Sequence, residues 1–167
     1  MSARSDDGTL ALSFTLNGEA RTLDTATTRT LADLLRDDMD MKGTRVACGR
    51  TVCGACTVLV DGTPRAACST FAFQVDGREV RTIEGLEGAD GTLDPVQAAF
   101  AAKSAFQCGF CTSGMILTAR ALLDEHPDPD RETIVDWISS GICRCTGYAL
   151  IIEAVEDAAR RMKEAAR

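Results

Sequence analysis

Apolar and polar positions change rhythm near the middle of the chain. Over Leu10–Leu16 (LALSFTL) apolar residues alternate imperfectly with polar ones, the two-residue period of a strand with one face covered. Asn17-Gly18 follows, a pair that favours a type I′ turn because both central residues need positive φ, and Glu19–Leu23 supplies the returning strand. Thr30 precedes Leu31, Leu34 and Leu35, with Asp33 three places after it, which predicts a short capped helix burying its leucine face. Thr57–Val60 (TVLV), Asp61-Gly62 and Thr63–Ala67 repeat the hairpin pattern, and Glu79–Ile83 (EVRTI) reads as a last strand. A small mixed sheet crossed by one helix is the expected result.

From Glu84 the alternation is gone. Glu84–Gly91 is rich in glycine and acid and predicts a linker, after which an alanine-rich helical period takes over. Asp94-Pro95 is an N-cap followed by proline at the first helical position, opening a helix to about Ala105. Thr112–Glu125 is a second helix, broken by His126-Pro127-Asp128-Pro129; Asp130–Ile138 is a third, and Gly147 to about Ala165 a fourth. Short connections between four helices favour an antiparallel bundle. The expected organisation is an α+β chain with a polar tail over 1–9, a sheet domain over 10–83, a linker over 84–93 and a helical domain over 94–167.

A formal charge of −7 argues against nucleic acid as a partner, since phosphates call for basic patches. No apolar run approaches the roughly 20 residues that cross a bilayer. The polar start lacks the apolar stretch of a secretory signal, so the expected compartment is the cytoplasm. That changes how the 8 cysteines are read: disulfides belong to oxidising compartments, whereas short-range cysteine clusters in a chain without a signal point to metal or redox chemistry.

The cysteines divide at the same boundary as the texture. Cys48, Cys53, Cys56 and Cys68 have the spacing C-x4-C-x2-C followed by a fourth, that of plant-type [2Fe-2S] proteins. Three thiolates on one loop can wrap a compact cluster, and the Thr57–Ala67 hairpin returns the fourth. Gly49 and Gly54, with Ala47 and Ala55, let backbone N–H groups approach the sulfurs. A four-cysteine zinc site is the alternative, and x4 followed by x2 on one loop suits it poorly. Cys108, Cys111, Cys143 and Cys145 form C-x2-C and C-x-C, each in a gap between predicted helices, with Gly109, Gly114, Gly141 and Gly147 giving room. Alone, this second set fits zinc nearly as well as iron; beside a plant-type set, a second redox centre is favoured.

Cys53-Gly-Ala-Cys-Thr-Val-Leu-Val-Asp-Gly62, Gln107-Cys-Gly-Phe-Cys-Thr-Ser-Gly-Met115 and Cys143-Arg-Cys-Thr-Gly-Tyr148 together resemble the small iron–sulfur subunit of the xanthine oxidase family of molybdenum hydroxylases. The resemblance runs from about Leu10 to Ala159. It implies a plant-ferredoxin-like β-grasp domain followed by a four-helix bundle, each carrying one [2Fe-2S] cluster. By that likeness Cys108, Cys111, Cys143 and Cys145 ligate the cluster nearer the pterin, Cys145 is the exit toward it, and Gln107 hydrogen-bonds it. Cys48, Cys53, Cys56 and Cys68 then hold the distal cluster. The implied partners are a large subunit with molybdopterin, expected in its cytosine dinucleotide form, and a medium subunit with FAD, in a heterotrimer or a dimer of heterotrimers. Electrons would run from molybdenum through the pterin and both clusters to FAD or another acceptor, with substrate choice left to the large subunit. An independent soluble di-cluster ferredoxin and a zinc-binding adaptor are the competing readings.

Between Cys48 and Cys53, many relatives carry Gly-Glu-Gly-Asp where this chain has Gly49, Arg50, Thr51 and Val52. The exchange removes negative charge beside the distal cluster and predicts a raised reduction potential. Ser113 replaces a proline of some relatives and is expected to touch nothing essential. His126 reads as a surface or capping residue, and Trp137 and Phe100 as core or contact residues. Phe110 reads equally as a shield over the cluster or as simple packing. Glu156 with Arg160 and Asp157 with Arg161 are spaced for i,i+4 pairs on a solvated helix face.

Overall fold

The computed structural model describes residues 8–165, so most of the polar tail expected over 1–9 lies outside the described residues. Strands β1 (Thr9–Leu16) and β2 (Glu19–Ala26) form the first hairpin, with β2 three residues longer than its alternation suggests. Asn17 and Gly18 both have positive φ (51° and 83°), as do Asp61 and Gly62 (49° and 78°) in the hairpin of β3 (Thr57–Val60) and β4 (Thr63–Ala66), so both predicted turns are of type I′. Strand β5 (Glu79–Arg81) runs parallel to β1 and antiparallel to β3, giving the order β2-β1-β5-β3-β4. The strand expected to reach Ile83 stops at Arg81, because Ile83–Gly85 curls into a 3₁₀ turn.

Helix α1 (Leu31–Asp33) is capped as expected, the Thr30 hydroxyl accepting the Asp33 N–H at 3.1 Å. It then widens into a π-helical turn over Leu34–Asp38, where the Met39 N–H bonds the Leu34 carbonyl. Leu31, Leu34 and Leu35 are fully buried and close a core with Leu12, Phe14, Leu16, Val58, Val60 and Val80.

The second half holds α2 (Pro95–Ala102), α3 (Thr112–Glu125), α4 (Arg131–Ile138) and α5 (Ala149–Ala165). Asp94 and Asp130 cap α2 and α4 by accepting N–H bonds from Val96 (2.9 Å) and Thr133 (2.8 Å). Helix α2 packs on α5 and α3, and α4 on α3 and α5, around a core built on Phe100, Leu117, Leu122, Ile134, Ile138 and Ile151.

Strand β3 is the wall between the two cores. All four of its residues are buried: Val58 and Val60 face the first core, and Leu59 points the other way into the helical one, against α3. An uninterrupted apolar run on a short strand is what burial on both faces requires. The acid- and glycine-rich stretch that follows β5 is anchored: Leu86 is buried in the helical core, and Glu84 accepts the Gly43 N–H at 2.7 Å. The Ser113 hydroxyl on α3 donates to the Gly43 carbonyl at 2.7 Å. Ser113, expected to touch nothing essential, therefore ties the helical half to the loop that precedes the first cysteines.

Candidate redox centre

The first four cysteines are brought together by the second hairpin. Cys48 and Cys53 lie on the loop between the π-helical turn and β3, and Cys56 directly precedes β3. The β3–β4 ladder continues one step further, the Ala67 N–H bonding the Cys56 carbonyl at 3.2 Å, which sets Cys68 beside Cys56. Cys56 is buried and the other three are half-buried. The thiols group two by two, Cys48 beside Cys53 and Cys56 beside Cys68.

The second four come from two loops. Cys108 and Cys111 lie before α3 and Cys143 and Cys145 between α4 and α5, and again the thiols pair, Cys108 with Cys145 (3.7 Å) and Cys111 with Cys143. Each pair takes one member from each loop. Cys111 and Cys143 lie inward, while Cys108 and Cys145 open to the surface.

Amide donors converge on several of these sulfurs. The Arg50 N–H, at 3.4 Å, followed by the N–H and thiol of Cys53, pulls Cys48 down to about 6. Burial pushes Cys56 up to about 11 and Cys111 up to about 12. The Phe110 N–H, then the Cys145 thiol, holds Cys108 below the ordinary thiol value. Cys143 is lowered although burial opposes it, because the Thr146 hydroxyl and the N–H groups of Cys145 and Thr146 donate to its sulfur.

The two groups nearly touch. A cavity of about 150 Å³ is lined by Cys53 from the first group and by all four cysteines of the second, with Ala47, Ala55 and Phe110. Beside it the Ile142 N–H bonds the Cys53 carbonyl at 3.0 Å, so the residue before Cys143 is joined to a cysteine of the other group. Three glycines permit this approach. A Cβ at Gly114 would lie 2.2 Å from the Gly54 carbonyl oxygen, and one at Gly54 (φ 68°) would lie 3.0 Å from Gly141 Cα. The room that Gly114 and Gly141 give near the cysteines is taken up by protein, Gly114 meeting the Gly54 backbone and Gly141 the Met115 side chain.

Paired thiols in two sets of four suit a two-iron cluster, which takes two protein sulfurs at each iron. Two family profiles match, one for a "2Fe-2S iron-sulfur cluster binding domain" over residues 22–103 and one for a "[2Fe-2S] binding domain" over 82–156. The nicotine 6-hydroxylase small subunit of Paenarthrobacter nicotinovorans is 44% identical over 158 residues, covering 95% of this chain and 94% of its own. The chain belongs to the small iron–sulfur subunits of the xanthine oxidase family of molybdenum hydroxylases. The solved quinoline 2-oxidoreductase of Pseudomonas putida 86 superposes with a TM-score of 0.89 at 39% identity, over 94% of this chain and 98% of that one. The aldehyde oxidoreductase of Desulfovibrio desulfuricans ATCC 27774 (TM-score 0.88, 41% identity) matches over 92% of this chain but only 17% of its own. This iron–sulfur subunit thus has the electron-transfer role of a component of a multi-subunit oxidoreductase, not that of an independent ferredoxin or a zinc adaptor.

Several residues of the subunit sit differently from their sequence reading. Phe110 is 42% exposed and carries the Arg45 guanidinium over its ring at 5.5 Å, while its side chain also lines the cavity shared by the cysteines. Asp157 is buried and takes both Arg161 (2.6 Å) and Arg160, while Glu156 turns to Arg131 on α4 at 2.5 Å. The face expected to be solvated is thus partly an ionic seam. Gln107 donates its amide to the Cys145 carbonyl at 3.0 Å. Tyr148, which spacing alone did not single out, accepts the Cys143 N–H at 3.0 Å; its position in a Cys-Arg-Cys-Thr-Gly-Tyr run was the available signal. Among the described residues, no helix is long and apolar enough to cross a membrane.

Proposed function

We propose that Cys48, Cys53, Cys56 and Cys68 hold one [2Fe-2S] cluster and that Cys108, Cys111, Cys143 and Cys145 hold the other, within a β-grasp domain over 10–83 and a four-helix bundle over 94–167 joined by 84–93. When bound, each cluster supplies a one-electron centre. The protein's part is to hold eight thiolates in four pairs, to aim amide N–H groups at their sulfurs and to keep the two sets in backbone contact. The Ile142–Cys53 hydrogen bond is the observation that carries this reading: it closes a short path of covalent bonds and one 3.0 Å hydrogen bond between the two groups.

The exposed pair Cys108 and Cys145 faces a partner, and Gln107, fixed on the Cys145 carbonyl, stands beside it. This supports placing that face against a large subunit carrying molybdopterin in its cytosine dinucleotide form, with Cys145 as the entry point for electrons. The first group then passes them to FAD in a medium subunit, in a heterotrimer or a dimer of heterotrimers in the cytoplasm. Two substitutions in the complex test the assignment. Cys48→Ser is expected to abolish one of two paramagnetic signals on reduction and Cys145→Ser to abolish or alter the other. If one substitution removes both signals, or neither signal changes, the division into two sets of four is wrong.

A further inference from the structure

The turn after the last cysteine is unusually constrained. Gly147 and Tyr148 both have left-handed backbones (φ 66° and 68°), a conformation that is costly for a bulky aromatic residue and persists where the surroundings over-determine it. The turn wraps Cys143. The Tyr148 hydroxyl accepts the Cys143 N–H at 3.0 Å and donates to the Gly141 carbonyl at 3.3 Å. The Tyr148 N–H in turn donates to the Thr146 hydroxyl oxygen at 3.2 Å, and that hydroxyl lies 3.1 Å from the Cys143 sulfur.

This arrangement gives the hydroxyl a direction. One lone pair of the Thr146 oxygen is taken by the Tyr148 N–H, and a metal-bound thiolate has no proton to give. The hydroxyl proton therefore points at sulfur, in a chain Tyr148 N–H to Thr146 O–H to Cys143 Sγ. Chained hydrogen bonds polarise one another, and Cys143, only 9% exposed, sits where they are weakly screened.

We propose that Thr146 is a positioning residue that raises the electron affinity of the second cluster by donating its hydroxyl proton to the Cys143 sulfur. The inference rests on the assignment of Cys143 as a ligand of that cluster. Adding an electron puts more negative charge on the ligand sulfurs, so a donor to sulfur stabilises the reduced state more than the oxidised one, and hydrogen bonds to sulfur are one lever on cluster potential. Removing the donor shifts the equilibrium toward the oxidised state without touching a ligand.

The test uses the full chain produced with its own encoded partner subunits. Potentiometric titration followed by EPR is run on the unaltered protein and on Thr146→Val and Thr146→Ser. Valine keeps the shape and loses the proton; serine keeps the proton. Thr146→Val is expected to disfavour reduction of one cluster by about tenfold, 59 mV for a one-electron couple, leaving the other unmoved, with Thr146→Ser restoring the original midpoint. An unchanged midpoint in Thr146→Val, with two cluster signals intact, overturns the inference and leaves the cluster assignment standing. Failure to find two paramagnets in the unaltered protein overturns the assignment itself. Should Thr146→Val not load iron, the unaltered protein is transferred to D2O and examined by pulsed deuterium ENDOR. A coupling to the second cluster that grows in within minutes, ahead of the buried amides, supports the hydroxyl donor, and its absence overturns it.

Discussion

Gly114→Ala sets two physical effects of opposite sign against each other. Gly114 lies in the first turn of α3, where alanine is favoured over glycine by up to about 1 kcal/mol. Helix propensity alone therefore predicts a stabilised protein. The contact predicts the reverse, because the new Cβ would sit 2.2 Å from the Gly54 carbonyl oxygen, with the Gly54 and Ala55 carbonyl carbons at 3.2 and 3.4 Å. These are backbone atoms, pinned on the far side by the Thr57 hydroxyl and the Ile142–Cys53 hydrogen bond, so no flexible side chain can yield. Relief requires α3 and the loop carrying Gly54 to separate by about 1 Å, overpacking of a kind that costs about 1–3 kcal/mol, and the Ile142–Cys53 bond adds about 1 kcal/mol if it is lost. The net loss is about 2 kcal/mol, or roughly 4–8 °C in Tm for a chain of this size. Circular dichroism melts at fixed iron content measure it. Gly77→Ala is the control, for Gly77 has a left-handed backbone (φ 72°) with nothing within 4 Å of the added atom, so it reports strain alone. A Gly114→Ala protein as stable as the parent, or more stable, would refute the reading of this seam as rigid backbone contact. The loop separation should also weaken the magnetic interaction between the reduced clusters while leaving each single-cluster signal recognisable.

Ser113→Ala removes the donor to the Gly43 carbonyl and is expected to cost about 1–2 kcal/mol, read as a lower Tm; no change would show the tie to be idle. Arg50→Glu keeps the backbone N–H that reaches Cys48 but reverses the charge beside it, so the midpoint of the first cluster should fall, and an unchanged or higher midpoint contradicts the electrostatic account. Asp157 supplies the acid limb of stability. Burial alone would raise its carboxyl, but hydrogen bonds from Arg161 and Arg160 outweigh burial and hold it below the ordinary carboxylate value. Its contribution is therefore complete above the unfolded-state value of about 3.9 and is lost as pH falls through the lower folded one. Asp157→Asn should be less stable at neutral pH and lose less between pH 5 and pH 2 in acid denaturation; parallel curves for the two proteins would dismiss the seam.

Much of this protein was legible in its sequence because the relevant signals are local. Type I′ turns at Asn17-Gly18 and Asp61-Gly62, the Thr30 and Asp94 caps, and the run Thr57–Val60 each rest on the conformational demands of a few neighbouring residues, and the structure contains all of them. Likewise the four residues between Cys48 and Cys53 and the two between Cys53 and Cys56 place three thiols on one loop whatever the rest of the chain does. What tertiary structure alone decided is where distant segments meet. No local pattern says that Leu59 faces the helical core while its neighbours face the other, that Gly114 is small for the sake of Gly54, or that Ser113 bonds Gly43. Nor does spacing tell that Cys108 pairs with Cys145 and Cys111 with Cys143, each across two loops. Local sequence governs backbone conformation through sterics and short-range hydrogen bonds, whereas pairing across loops follows from how the two cores close on one shared strand.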